Sequence, residues 1–202
     1  MSYNIVLIGA MGVGKTTISK VICDDNEAYS IFDSDIEKQV LINQTKIDSN
    51  QYETLLTNNS WTKANDYARS FLNPDHLRTI LEKAGTNHII NIGGDLIDWN
   101  NSKDFESCQK ILEEYPNVIL LSYSNDIMES YNELSERIMN RPNHDSNEVL
   151  QEQADYNFRF IKSKLFNKVA RHIIEIKGKS KIDIANEIIA ILIDSMPKTD
   201  EV

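Results

Sequence analysis

Residues 9–16, Gly9-Ala10-Met11-Gly12-Val13-Gly14-Lys15-Thr16, constrain this chain more than any other stretch. They fit G-x-x-x-x-G-K-[ST], the phosphate-binding P-loop. Tyr3-Asn4-Ile5-Val6-Leu7-Ile8 precedes them and reads as a buried strand; Thr17-Ile18-Ser19-Lys20-Val21-Ile22 follows and opens a helical pattern. A strand feeding a glycine loop that opens a helix is the context the pattern requires. The four fixed positions recur by accident in roughly one chain of this length in a hundred, and the context lowers that further.

The residue types follow from the chemistry. Glycines let the backbone turn tightly and bring amides onto phosphate oxygens. The amides of Gly12, Val13, Gly14, Lys15, Thr16 and Thr17 are the expected set, aided by the positive helix N-terminus. Lys15 is expected at the β- and γ-phosphates, and the Thr16 hydroxyl on Mg²⁺. A nucleotide with Mg²⁺ is therefore expected at the loop; ATP is the expectation once the other P-loop classes below are set aside.

Strand and helix patterns alternate along the rest of the chain. Residues 29–32, 88–92, 118–121 and 172–176 read as strands; 74–83, 105–114, 126–138, 148–169 and 182–194 read as helices. That alternation predicts an α/β fold, a five-stranded parallel sheet with helices on both faces. Residues 1–194 read as one P-loop domain and 195–202 as a flexible tail. Residues 43–74 are polar but carry Tyr52, Trp61, Tyr67 and Phe71, which argues against disorder. They predict a small helical substrate-binding insertion, with helices near 48–57 and 61–72.

Ligands in open α/β sheets sit outside the C-terminal strand ends. Asp33-Ser34-Asp35 falls at one such end and Gly93-Gly94-Asp95 at another. One carboxylate of the first pair can hold a Mg²⁺ water, and the other can accept a hydrogen bond or proton from a substrate hydroxyl. The plainer reading is a helix N-cap formed by Ser34 or Asp35. The glycine pair permits close approach of a substrate. Arg69 in the insertion is a candidate for an anionic substrate, against the plainer reading of a solvated surface arginine. Arg137 and Arg141-Pro142 lead into the polar Asn143–Asn147, so 137–147 reads as a basic lid over phosphates. Arg159 and Lys162 share one helix face.

Composition excludes other classes. The net charge of −10 argues against non-specific nucleic-acid or anionic-membrane binding. No run approaches the ~18 apolar residues of a membrane span, and no secretory signal is read at the N-terminus. Cys23 and Cys108 make no disulfide framework, and the four histidines make no metal-ligand set. A cytoplasmic monomer acting on a small-molecule hydroxyl acceptor is the expectation. A GTPase Asn-Lys-x-Asp loop, a hydrophobic strand ending in Asp-Glu and a Leu-Ser-Gly-Gly-Gln signature are all missing.

Over most of its length, in order, the chain resembles the shikimate kinase family. Gly9–Thr16 is similar to that family's Gly-x-Met-Gly-x-Gly-Lys loop, including Met11. Asp33-Ser34-Asp35 resembles its Asp-Ser-Asp, which implies Asp33 in the Mg²⁺ shell and Asp35 on the substrate hydroxyl. Ile92-Gly93-Gly94 resembles its Thr-Gly-Gly-Gly substrate loop, and Arg141-Pro142 the Arg-Pro of its lid. Leu165–Ala170 resembles its Leu-Tyr-x-x-x-Ala segment, and Gly178-Lys179-Ser180 its adenine-side turn. The resemblance implies a fold of nucleoside-monophosphate-kinase type and transfer of the ATP γ-phosphoryl group to shikimate, a step of aromatic amino acid biosynthesis. Arg141 would stabilise the transition state, and Arg137 and Lys179 would contact the nucleotide.

The departures lie on the acceptor side. Asp95 replaces the third glycine. The Phe-Arg carboxylate-binding motif has no clean counterpart, so Arg69 stands in for it, with Arg78 behind. Lys162 replaces the arginine before the Leu-Tyr segment, and the 43–74 insertion is long. The alternatives are a kinase for another polyol or hydroxy-acid, and a nucleotide-binding regulatory or host-directed module without metabolite kinase activity.

Overall fold

The computed structural model describes residues 4–58, 60–99, 101–142 and 145–195. Tyr3 of the expected first strand, Asn143 and His144 of the expected lid, and residues 196–202 of the expected tail lie outside the described residues.

In chain order the elements are β1 (Ile5–Ile8), α1 (Lys15–Asp25), β2 (Ser30–Phe32), α2 (Ser34–Asn43), α3 (Ser49–Thr57), α4 (Trp61–Arg69), α5 (Pro74–Lys83), β3 (His88–Ile92), α6 (Ser102–Glu113), β4 (Val118–Ser122), α7 (Ile127–Met139), α8 (Asn147–Ser163), α9 (Leu165–Val169), β5 (His172–Glu175) and α10 (Lys181–Ser195). A 3₁₀ turn over Gly94–Leu96 follows β3. The strands form one five-stranded sheet in the order β2-β3-β1-β4-β5, and every pairing is parallel.

The sheet is apolar on both faces because both are covered. Along β1, Val6 and Ile8 enter one core and Ile5 and Leu7 the other. The first core is closed by Leu77, Ile80 and Leu81 of α5, Ile111 and Leu112 of α6, and Phe160 of α8. The second is closed by Ile18 and Ile22 of α1, Leu134 of α7, and Ile184, Ile188 and Leu192 of α10. Period-2 alternation in a strand and 3.6-residue stripes in the helices therefore produce two layers of helix around one sheet.

The polar stretch 43–74 folds as α3 and α4. Asp48 caps α3 by accepting from the amides of Asn50 and Gln51. α3 buries no residue, whereas α4 buries Ala64 and Arg69. α4 lies on α8: Trp61 meets Tyr156 edge to face with centroids 5.3 Å apart, and the Thr62 amide donates to Glu152 at 2.8 Å.

One expected element is split. The continuous helix over 148–169 breaks at Lys164, whose φ of 52° is left-handed. The break turns α9 so that Phe166 and Val169 reach the first core. Amphipathic spacing alone does not register a single left-handed residue.

The sheet order places β1 between β3 and β4. The loop after β1 therefore opens toward two neighbourhoods. The ends of β2 and β3 lie on one side, and the end of β4, which leads into α7, lies on the other. That is the crevice where α/β sheets bind ligands.

Candidate active site

The loop of residues 9–14 leaves β1 with Gly9, Gly12 and Gly14 at φ of 146°, 83° and 103°. Gly9 has a second constraint: a Cβ there would stand 2.5 Å from the Leu121 carbonyl oxygen of β4. Gly14 starts α1 with no side-chain cap, so the first amides of the helix are left to whatever enters the crevice. Lys15 Nζ donates to the Gly9 carbonyl at 2.7 Å. Burial lowers the Lys15 ammonium to about 8, against the opposing pull of the Asp35 and Asp95 carboxylates.

The loop is held from a distance. Asn157 of α8, buried at 2% exposure, accepts from the Met11 amide at 2.7 Å and donates to the Met11 carbonyl at 3.0 Å. Ser19 ties α1 to β3 by bonding the Lys15 carbonyl and Asn91 Oδ1, each at 2.9 Å. Neither contact was anticipated. The only sequence signal for Asn157 is a polar residue on the apolar stripe of α8.

A cavity of about 620 Å³ opens beside the loop. Of the expected nucleotide residues, Gly12, Gly14, Lys15, Thr16 and Thr17 line it, and Arg137 and Arg141 line it from the end of α7. Arg137 is set by Glu133, 2.8 Å from its Nε, and by the Tyr123 ring, 5.2 Å from its guanidinium. Burial holds the Arg141 guanidinium below its ordinary value, with Asp145 acting the other way. Val13 is placed differently. Its side chain is in the second core and its amide donates to Ala10 O at 3.3 Å, inside the loop.

The β2–β3 side carries the acids. Asp35, Gly93, Gly94 and Asp95 line the cavity there. Asp33 does not; its Oδ1 accepts from the amides of Asp35 and Ile36 at 3.1 and 3.0 Å and caps α2. The N-cap is thus Asp33, not Ser34 or Asp35. Ser34 is buried and its hydroxyl donates to the Asn91 carbonyl, joining the ends of β2 and β3. Asp35 stays open to solvent at 82% side-chain exposure.

Lys38, one turn into α2, is a further residue to which no sequence motif points. Its Nζ lies 3.0 Å from Asp35 and 2.6 Å from Asp95. Burial pulls the Lys38 ammonium down, but Asp95 and Asp35 outweigh it and hold it above its ordinary value. An i, i+3 spacing from Asp35 was visible; the pairing with Asp95 is long-range.

Three expected ligands stand away from the cavity lining. Arg69 is neither a surface arginine nor a cavity ligand. It is 8% exposed and donates to Tyr156 Oη at 2.6 Å and to the Asp98 carbonyl, with Asp66 at 3.7 Å. Lys162 is exposed, with its Nζ 6.0 Å from the Phe158 ring. Lys179 pairs with Glu187 at 2.6 Å across the turn into α10. Arg78 forms a bidentate pair with Glu114 on the surface. Gly94 serves packing, since a Cβ there would stand 2.6 Å from the Phe160 ring.

The donor set fits a nucleotide polyphosphate: uncapped helix amides, Lys15 and two arginines on one wall. Among the described residues no group of three or more His, Cys, Asp or Glu could hold a metal by itself. Thr16, in the cavity lining, could add its hydroxyl to a Mg²⁺ bound by phosphate oxygens. No described helix is long and apolar enough to cross a membrane.

No protein-family model matches the chain, and no curated protein matches it. Solved structures do. Shikimate kinase from Acinetobacter baumannii, solved with shikimate, aligns at 20% identity over 96% of this chain and 95% of that one, with a TM-score of 0.55. Shikimate kinase from Bacteroides thetaiotaomicron aligns at 16% identity over 95% and 98%, with a TM-score of 0.56. A tunicamycin resistance protein from Deinococcus radiodurans aligns at 16% identity over 94% and 95%, with a TM-score of 0.53. The chain has the fold of shikimate kinases and related P-loop kinases.

Proposed function

We propose that this chain transfers the γ-phosphoryl group of ATP to a hydroxyl of a small molecule. The observation that carries this reading is the shared cavity: the P-loop, Lys15, Arg137 and Arg141 line it together with the open carboxylate of Asp35. The fold of small-molecule kinases agrees with it.

The loop amides and Lys15 hold the phosphates. Thr16 would hold Mg²⁺, and Asp33, whose Oδ1 caps α2 outside the cavity lining, would reach it through a water from its other oxygen. Mg²⁺ supplies charge neutralisation at the β- and γ-oxygens. Asp35 orients the acceptor hydroxyl and takes its proton, with Lys38 fixing the carboxylate. Arg141 and Arg137 stabilise the charge on the transferred group. A cytoplasmic location suits a donor as common there as ATP.

Shikimate is the first acceptor to test, because both the sequence resemblance and the A. baumannii neighbour point to it. The assay is ADP release from Mg·ATP with and without shikimate, in wild type and Lys15→Ala. Acceptor-dependent release that Lys15→Ala abolishes supports the kinase reading. ATP binding with no release for any small hydroxyl compound supports a nucleotide-binding module instead.

A further inference from the structure

The acceptor end of the cavity differs from its phosphate end in charge and in surface. Its charged lining is Asp35, Lys38 and Asp95, with the lysine held between the two carboxylates. The formal balance there is one negative charge. The other cations among the described lining residues are Lys15, Arg137 and Arg141, which belong to the phosphate end.

The cations nearest the acceptor end are engaged elsewhere. Arg69 is held by Tyr156, Asp98 and Asp66. Arg159 stacks 4.1 Å from the Tyr156 ring centre and lies 3.9 Å from Asp98. Neither lines the cavity. A carboxylate brought here would lose water, gain no cation of its own and meet the charge of Asp95.

The rest of this end is aromatic and amide. Trp61, Tyr156 and Phe160 line it as two edge-to-face pairs with centroids 5.3 and 5.2 Å apart. Tyr156 has its hydroxyl bonded to Arg69. Asn65 also lines the cavity, and its Nδ2 is buried with no hydrogen-bond partner in the protein. A buried amide donor without a partner is costly unless a ligand oxygen meets it.

Aromatic rings beside a few placed carboxylate and amide groups suit a ring with an apolar C–H face and hydroxyls at its edge. We infer that the phosphoryl acceptor is an uncharged polyhydroxylated ring, a sugar or cyclitol, rather than a carboxylic acid. This rests on the kinase reading above. Asp35 and Asp95 accept from its hydroxyls, and Asn65 donates to one of their oxygens. The transfer breaks the bond from the γ-phosphorus to the bridging oxygen of ATP and forms a phosphorus–oxygen bond to the ring hydroxyl. The hydroxyl proton passes to Asp35, and ADP leaves.

The test compares two matched panels in the ADP-release assay. One holds methyl shikimate, glucose, ribose and myo-inositol; the other holds shikimate, quinate, glucuronate and gluconate. The expected result is a best uncharged acceptor with kcat/KM at least tenfold above every carboxylated one. Asp95→Asn should then narrow that gap by about tenfold, because it removes the like charge. A carboxylated acceptor preferred by wild type overturns this inference and leaves the kinase reading standing. An unchanged gap in Asp95→Asn overturns it as well. No turnover in either panel, with Mg·ATP still bound, removes the kinase reading and this inference together.

Discussion

The two ends of the cavity are assembled in different ways. The phosphate end is made mostly of seven residues within the stretch 9–17, with Arg137 and Arg141 added from the end of one helix. The acceptor end is gathered from α2, α4, the turn after β3, and α8. A polyphosphate is recognised by backbone amides, which one tight loop can supply. A ring of hydroxyls needs side chains from several directions, so its site exists only once the fold does.

Changes at the two ends should therefore fail in different ways. The largest effect is expected where both ends meet the transferred group. Lys15→Ala and Asp35→Asn should each lower kcat at least about a hundredfold while the melting transition stays cooperative. Normal turnover in either variant breaks the assignment of both ends at once.

Asn157→Ala comes next. It strips the Met11 amide and carbonyl of their partners, which should cost about 2 kcal/mol in denaturant unfolding. It should also raise the KM for ATP several-fold and leave the acceptor KM unchanged, because the loop and not the acceptor wall loses its support.

Arg69→Met sharpens the acceptor end. An arginine that binds substrate would raise the acceptor KM and spare stability. The geometry predicts the reverse: a loss of about 1–2 kcal/mol, with the acceptor KM within about twofold of wild type. Paired chemical denaturation and kinetics decide between the two.

The smallest effect is protonic. Lys15 sits at about 8 in the free protein, below its ordinary value. Between about 8 and its ordinary value the folded chain binds fewer protons than the unfolded one, so this group adds stability as pH rises through that window. Nucleotide phosphates favour the charged form, so binding should take up a fraction of a proton near pH 8.5. Calorimetry of a non-hydrolysable ATP analogue in two buffers of different ionisation enthalpy measures it. Lys15→Met should show no uptake from this source, and equal uptake in both proteins would place the titrating group elsewhere.

Legibility follows the same division. The apolar runs locate all five strands to within a residue or two; the inner strands β1, β3 and β4 are buried from both faces and so mostly apolar, while the edge strands β2 and β5 carry only short apolar runs. The two insertion helices are legible only coarsely, from aromatic residues that argue against disorder, because α3 buries no residue that would set an apolar stripe. The P-loop is readable because its function lies in consecutive backbone. Lys38 with Asp95, Arg69 with Tyr156 and Met11 with Asn157 are separated by 57, 87 and 146 residues, and no local pattern carries them. Asp33 shows a related ambiguity. A carboxylate before a helix serves a cap and a metal shell equally well in sequence, and only its facing direction separates the two.

The Asn157 side chain matches both the N–H and the C=O of one residue, Met11. Aspartate lacks the donor, leucine lacks both groups, and histidine has the wrong shape. Substitution there should be as restricted as at a loop glycine, although the position stands far along the chain. A search pattern for proteins built this way would be discontinuous: the eight-residue loop, a long gap, and one asparagine on the inward stripe of the helix that follows the basic segment. Such a pattern could retrieve kin that overall identity is too low to reveal.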